Sequence, residues 1–277
     1  MANVYLNGSF IPLDDAKIPV LDRGFTFGDG VYEVFLVYRK RIICFDEHLD
    51  RLNNSLAAIY MENPLGRDEW FEVLDKLVQE NPASDQSLYL QVTRGCSERD
   101  HDINLAGKPT VFAMSKALPE RNLDSGIKAI TCEDIRWKLC HIKAITLLPS
   151  ILLRHQARLA GAREAILVRD GLVTEGAASN VFIVRAGTVK TPPKDGSLLP
   201  GITRDLLVEL LNKNGIECRE TRINNDDLLK ADEIWITSST WEIVPVIMLN
   251  DVPVGEGAPG PVWKQAVGIY SDFKASV

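Results

Sequence analysis

The chain has 277 residues, 45% of them hydrophobic and 25% charged, and its 31 Lys+Arg against 38 Asp+Glu leave a formal net charge of −7. That balance belongs to a globular protein with core enough for one large domain or two small ones. The acidic excess argues against nucleic-acid binding, which needs basic residues to neutralise phosphates, and against docking on an anionic membrane surface.

The chain opens with Val4-Tyr5-Leu6 and Ser9-Phe10-Ile11 around Asn7-Gly8, a dipeptide suited to the positive φ values of a two-residue hairpin. Val31 to Tyr38 is β-branched and aromatic, and predicts a strand. Asp46 opens a helix with Leu49, Leu52, Leu56 and Ile59 on one face. A second helix is expected over Asp68 to Glu80, burying Trp70, Phe71, Leu74, Leu77 and Val78. Leu88 to Thr93 and Thr110 to Met114 predict strands that return to the first sheet. From Ser115 to Asp124 the periodicity fails, which marks a junction between a first domain (1–118) and a second (119–277).

The second half begins with a strand near Lys128 to Cys132. The alternating stretch Arg136 to Lys143 predicts another strand, with Lys143 at its end. A helix over Pro149 to Ala162 follows, with proline in its first turn. Ala165 to Val168, Leu172-Val173 and Val181 to Val184 form a meander of short strands. Thr203 to Asn214 reads as a helix with a hydroxyl N-cap and Gly215 as its terminator. Strands at Ile234 to Thr237 and Val244 to Leu249 precede a closing helix, Pro261 to Phe273. Strands, helices, then strands in each half point to an α+β chain of two domains.

Several chemistries are excluded by context. Gly28-Asp29-Gly30 resembles the start of a dinucleotide fingerprint, but Glu33 replaces the third glycine and a strand follows where a helix should begin. The five cysteines (Cys44, Cys96, Cys132, Cys140 and Cys218) form no C-x-x-C pair, so neither a disulfide framework nor a structural zinc is expected. Cys140 and His141 are adjacent, and His48, His101 and His155 lack ligand spacing, so no metal site is expected. The Gly-x-Ser-x-Gly elbow of serine hydrolases is missing. No signal peptide and no apolar run near the ~20 residues of a membrane span are visible, so a cytoplasmic location is expected.

Four segments remain, each with a plain reading beside a chemical one. A lone lysine is nearly always a solvated charge. Lys143, however, is followed by Ala144-Ile145-Thr146-Leu147-Leu148, which reads as interior, and a desolvated amine suits Schiff-base chemistry. Glu175, in Thr174-Glu175-Gly176-Ala177-Ala178-Ser179-Asn180, is either a turn residue facing water or a carboxylate beside small residues that let a ligand approach. Leu199-Pro200-Gly201-Ile202-Thr203-Arg204 runs from a glycine turn into a helix amino terminus, either an anion site or simple capping by Thr203. Thr237-Ser238-Ser239-Thr240 either completes a phosphate cup or forms a turn.

Together, in this order and spacing, these segments resemble the fold-type IV pyridoxal-phosphate enzymes, a family containing branched-chain aminotransferase, D-amino-acid aminotransferase and aminodeoxychorismate lyase. The resemblance runs from Tyr5 to about Phe273, and Thr174-Glu175-Gly176, Ser179-Asn180-Val181-Phe182 and Gly201-Ile202-Thr203-Arg204 are its most specific parts. It implies an N-terminal α/β sandwich and a C-terminal β-barrel-like domain that binds pyridoxal 5'-phosphate and carries the catalytic lysine. By position, Lys143 forms the internal aldimine and shuttles the proton. Glu175 contacts the pyridine nitrogen, and Leu199 packs on the ring. Arg51, Ile202, Thr203, Ser239 and Thr240 hold the phosphate.

Arg99-Asp100-His101 matches the Arg-x-His pair of the D-amino-acid aminotransferases, and Tyr32 matches the tyrosine that joins it in gripping the substrate carboxylate. Without the resemblance, Arg99 and His101 would read as a charged surface loop. In that subfamily the pair comes from the partner subunit, so the resemblance implies a homodimer. The expected reaction is ping-pong transfer of the amino group of a D-amino acid, D-alanine foremost, to a 2-oxo acid such as 2-oxoglutarate. The alternatives are an L-branched-chain aminotransferase, aminodeoxychorismate lyase, or a non-catalytic interaction module. His141 stands where aspartate is usual, Ala177 and Ala178 replace hydroxyl residues, and Trp241 is placed to narrow the side-chain pocket; all three bear on substrate range.

Overall fold

The computed structural model describes residues 3–105, 107–119 and 123–276. The chain divides into two compact units. One gathers the residues up to Pro119 together with Ile142–Thr146, and the other holds the rest. Part of the stretch read as a junction, residues 120–122, lies outside the described residues.

The first unit contains β1 (Asn3–Leu6), β2 (Ser9–Pro12), α1 (Arg23–Phe27), β3 (Gly30–Tyr38), β4 (Arg41–Ile42), α2 (Phe45–Ala58), α3 (Arg67–Glu80), β5 (Gln86–Thr93) and β6 (Thr110–Ala117). Its strands form an antiparallel sheet in the order β2-β1-β6-β5-β3-β4. The β1–β2 turn has Asn7 and Gly8 at φ 48° and 93°, the conformation that the dipeptide favours. Leu49, Leu52 and Leu56 of α2 and Trp70, Leu74 and Leu77 of α3 share one core with Phe35, Leu88 and Leu90 of the sheet. Phe71, expected in that stripe, is 44% exposed and meets Phe45 edge-on instead. One position past Trp70, it has rotated about 100° from the core.

The second unit contains β7 (Ile127–Glu133), α4 (Leu148–Leu159), β8 (Glu164–Arg169), β9 (Leu172–Gly176), β10 (Asn180–Arg185), β11 (Thr188–Thr191), α5 (Ile202–Lys213), β12 (Cys218–Glu220), α6 (Asn225–Leu229), β13 (Glu233–Ser238), β14 (Glu242–Leu249), β15 (Val252–Pro253) and α7 (Pro261–Ser276). One sheet runs β12-β11-β10-β13-β14-β7-β8-β9, with β15 added on β14. Its central strands are apolar on both faces. Val181, Ile183, Ile234 and Ile236 enter one core, while the intervening Phe182, Val184 and Trp235 pack with Leu207, Leu211, Trp263 and Tyr270 of α5 and α7.

The order forces this sheet to curl. From β10 to β9 is five strand steps, about 24 Å if flat. Yet Gly176, ending β9, and Asn180, opening β10, are four residues apart, a reach of about 14 Å at most. The sheet therefore closes into a half-barrel, with Glu175 and Asn180 at the place where its ends approach.

Candidate active site

Lys143 lies in no strand. The segment from Asp134 to Leu147 is irregular, and the backbone partners of Lys143 and its neighbours come from elsewhere in the first unit. Tyr32 N–H donates to the Lys143 carbonyl (3.0 Å), Ile145 N–H to Gly30 (3.1 Å), and the Lys143 N–H to Ser55 Oγ (3.2 Å). A bridge between Val31 and Ala144 completes the seam. The start of β3 and the last turn of α2 thus hold the lysine, which packs with the N-terminal unit although its place in sequence suggests the C-terminal one. Ile142 and Ala144 are buried and Lys143 half-buried, but Leu148, read as interior, is 66% exposed. The amine stands 4.3 Å from the centre of the Tyr32 ring.

Glu33 alternates with Tyr32 on β3 and is fully buried. Its carboxylate accepts from Arg51 through Nε (2.8 Å) and a terminal nitrogen (2.7 Å), and meets His48 Nδ1 at 2.8 Å. Burial pushes its pKa up, but the Arg51 charge and the hydrogen bonds outweigh burial and hold it well below the carboxylate range. Burial drives the pKa of His48 down; Glu33 opposes that, and the Arg51 and Lys143 charges reinforce it. The sequence gives neither Glu33 nor His48 a part in the site, since nothing in a strand glutamate announces an arginine 18 residues later.

Arg99 and His101 lie exposed on the loop after β5 and gather on Phe27. The Arg99 guanidinium carbon is 5.1 Å from the centre of that ring, and the His101 ring centroid is 5.5 Å away.

In the second unit, Glu175 is the penultimate residue of β9 and is buried, not the water-facing turn residue of the plain reading. Both its oxygens accept from the Leu199 N–H (3.1 Å), Oε2 also takes the Asn180 amide (3.1 Å), and Oε1 receives the Arg136 guanidinium. Arg136 is held in turn by Asp134 through Nε and a terminal nitrogen, both at 2.8 Å, and Thr174 donates to the same carboxylate (2.9 Å). Burial pushes the Glu175 pKa up to about 7 against the pull of Arg136 and Leu199 N–H. Arg136 and Asp134 were missed, although an Asp-x-Arg pair entering a loop was a visible signal.

The helix read as capped by Thr203 begins earlier. Gly201 is the N-cap of α5, no side chain caps it, and Thr203 is buried at the second helical position. A hydroxyl before an apolar stripe looks the same at either place. The first-turn amides, including those of Ile202 and Thr203, therefore point out of α5 without a side-chain cap, and favour an anion. A Cβ at Gly201 would overlap Asn180 Oδ1. The hydroxyl run across the end of β13 is mixed. Ser238 Oγ accepts from the Trp241 N–H (3.1 Å), Ser239 is half-buried, and Thr240 is exposed. Thr237 Oγ1 is buried without a partner among the described residues, on the strand position paired with Asn180. Trp241 lies near the Arg154 and Arg163 guanidiniums, at 5.2 and 5.6 Å from its ring.

These groups fit pyridoxal phosphate, the cofactor that the resemblance implies. Uncapped helix amides suit its phosphate, a buried carboxylate titrating near 7 suits its pyridine nitrogen, and an unsatisfied buried hydroxyl beside Asn180 calls for a polar ligand. Among the described residues, no group of three or more His, Cys, Asp or Glu is arranged to hold a metal, and no helix is long and apolar enough to cross a membrane.

Residues 30–248 match the model of the amino-transferase class IV family. The chain is 40% identical over 263 residues to a D-alanine aminotransferase of Bacillus licheniformis, covering 94% of this chain and 93% of that protein. It is 41% identical over 267 residues to one of Listeria monocytogenes, covering 95% and 92%. It also superposes with a TM-score of 0.91, at 27% identity over 99% of this chain and 94% of the other, on a branched-chain amino acid aminotransferase of T.th. with pyridoxamine 5'-phosphate.

Proposed function

Because the chain belongs to the class IV amino-transferases, we propose that it is a ping-pong transaminase that moves the amino group of D-alanine to a 2-oxo acid such as 2-oxoglutarate, as a cytoplasmic homodimer. Pyridoxal phosphate, the cofactor of the family, supplies a carbonyl for amine exchange and a ring that accepts the electrons left when the substrate α-proton departs.

The chain's own residues divide the remaining work. Lys143 Nζ would hold the cofactor at its carbonyl and would move the substrate α-proton, helped by its tethered position as much as by basicity. Glu175, braced by Arg136, Asn180 and Leu199 N–H, holds the proton of the pyridine nitrogen. Arg51, the amides of Ile202 and Thr203, and the hydroxyls of Ser239 and Thr240 take the phosphate, and Leu199 packs on the ring. Tyr32, with Arg99 and His101 reaching in from the partner subunit, binds the substrate carboxylate.

The observation that carries this reading is the Arg99–His101 pair on Phe27. A guanidinium and an imidazole presented together from an exposed loop make a carboxylate receptor. The similarity to D-alanine aminotransferases supports the same donor. The test is to load the protein with pyridoxal phosphate and add D-alanine, L-alanine or L-leucine in turn. D-alanine should bleach the visible band of the lysine-bound cofactor and release pyruvate, with Lys143→Ala inert. Bleaching by L-leucine and not by D-alanine would make the protein an L-branched-chain enzyme. Pyruvate released from aminodeoxychorismate alone would make it a lyase.

A further inference from the structure

We propose that Phe27 is the positioning residue of the carboxylate receptor: its ring is the platform on which Arg99 and His101 are held ready for substrate. The inference rests on the carboxylate reading of that pair and adds a residue that acts through Arg99 and His101.

The loop from Ser97 to Asp102 has no regular structure, and Arg99 and His101 are both exposed on it. Left to itself, such a pair would lose rotamer freedom on binding, which weakens affinity. Phe27 removes part of that loss. Its ring meets the His101 ring at 5.5 Å and an interplanar angle of 51°, and it lies 5.1 Å from the Arg99 guanidinium carbon. A third group, Arg23, sits 4.7 Å from the same ring and donates to the carbonyl of Asp100 (2.7 Å), the residue between the two receptor side chains. One ring and one hydrogen bond therefore engage three successive residues of the loop, Arg99, Asp100 and His101.

The platform is itself firmly mounted. Arg23 Nε donates to Asp29 Oδ2 (2.8 Å), and Arg94 takes the same carboxylate through Nε (2.8 Å) and a terminal nitrogen (3.0 Å). Buried Asp22 accepts from the Gly24 N–H (2.8 Å), Thr93 Oγ1 (2.8 Å) and Thr110 Oγ1 (2.6 Å), and so ties the start of α1 to β5 and β6. Gly24 has no room for a side chain against the Thr93 methyl, and Gly28 closes α1 at φ 68°. Two residues further on begins β3, whose Tyr32 lies under the Lys143 amine. The same rigid turn thus sets both the receptor loop and the tyrosine.

The experiment compares Phe27→Leu and Phe27→Met, which fill space without an aromatic face, with Phe27→Trp, which restores one. Loaded enzyme with Leu or Met at 27 should show a KM for D-alanine and for 2-oxoglutarate raised roughly tenfold, the size of two lost ring contacts. Its kcat, visible cofactor spectrum and affinity for pyridoxal phosphate should stay unchanged, and Phe27→Trp should restore KM. In the Arg99→Ala, His101→Ala background, Phe27→Leu should add nothing further. Unchanged KM in Phe27→Leu and Phe27→Met, or losses that simply add in the triple variant, would overturn the positioning role while Arg99 and His101 kept theirs. If Arg99→Ala and His101→Ala themselves leave KM unchanged, the carboxylate reading falls and takes this inference with it.

Discussion

Glu33 and Arg51 form a closed pair in which each carboxylate oxygen takes a different guanidinium nitrogen, at 2.8 and 2.7 Å, with the glutamate fully buried. The pair fixes the fork of the arginine, so that α2 presents it in one geometry.

Glu33→Gln should therefore destabilise the protein by about 3–5 kcal/mol at neutral pH, since it leaves a buried guanidinium without its counter-charge. The effect has a defined pH window. The pKa of Glu33 is lower in the folded chain than its ordinary 4.5, so its contribution is complete above that value and is lost as pH falls below it. Urea midpoints should separate wild type from Glu33→Gln widely at pH 7 and bring them together in acid. A gap that stays constant would show that the pair contributes shape alone.

Glu175 behaves in the opposite sense. In the cofactor-free protein its pKa rises from 4.5 to about 7, so between those values the folded state holds a proton that the unfolded state releases. Stability is then greatest below about pH 4.5 with respect to this group, and falls as pH rises through 7, by about 3 kcal/mol in all. The cofactor-free wild type should lose urea resistance over that interval more steeply than Glu175→Gln. Parallel slopes would place the titration elsewhere.

Arg136→Met tests the brace on Glu175. The guanidinium is the main pull keeping this carboxylate ionisable against burial, so its loss should carry the Glu175 transition well above pH 7. The variant should bind pyridoxal phosphate at least tenfold more weakly at pH 8, as measured by equilibrium dialysis, with a smaller deficit at pH 6. Equal affinity at both pH values would mean that Arg136 only fills space.

Much of this fold is legible in the sequence wherever one local rule decides. The Asn7-Gly8 hairpin follows from backbone preference, α2 and α3 from leucines three and four apart, and β10 and β13 from unbroken apolar runs that two cores divide between them. Reading fails where the deciding partner is distant. Lys143 looks like a strand end, but its backbone is bonded to Tyr32 and Ser55, and that of Ile145 to Gly30. The Arg136–Glu175 contact spans 39 residues, and no periodicity foreshadows it. The five-residue α1 is too short to show a stripe, so the mount of Phe27 went unread although Arg99 and His101 did not. Thr203 reads as a cap in the sequence because hydroxyls at the cap and inside the first turn precede the same apolar pattern.

The uncapped start of α5 gives the last prediction. Gly201 packs so closely on Asn180 that any side chain there would displace the amide, and Asn180 Nδ2 ties Glu175 Oε2 (3.1 Å) to the Leu199 carbonyl (2.9 Å). Gly201→Ala must shift either that amide or the first turn of α5, at about 1–3 kcal/mol for the overpacking. It should lower the affinity for pyridoxal phosphate by an order of magnitude or more, because either shift displaces a group proposed to meet the cofactor: Glu175 through its Asn180 partner, or the first-turn amides of α5. Gly215→Ala, just past the other end of the helix, is the control. It sits at φ 77° with open space around it, so alanine there costs about 1–2 kcal/mol through backbone strain alone. Fluorescence titration with the cofactor should separate the two, with affinity lost in Gly201→Ala and kept in Gly215→Ala despite similar thermal shifts. Equal affinities in both variants would remove the α5 amino terminus from the phosphate site.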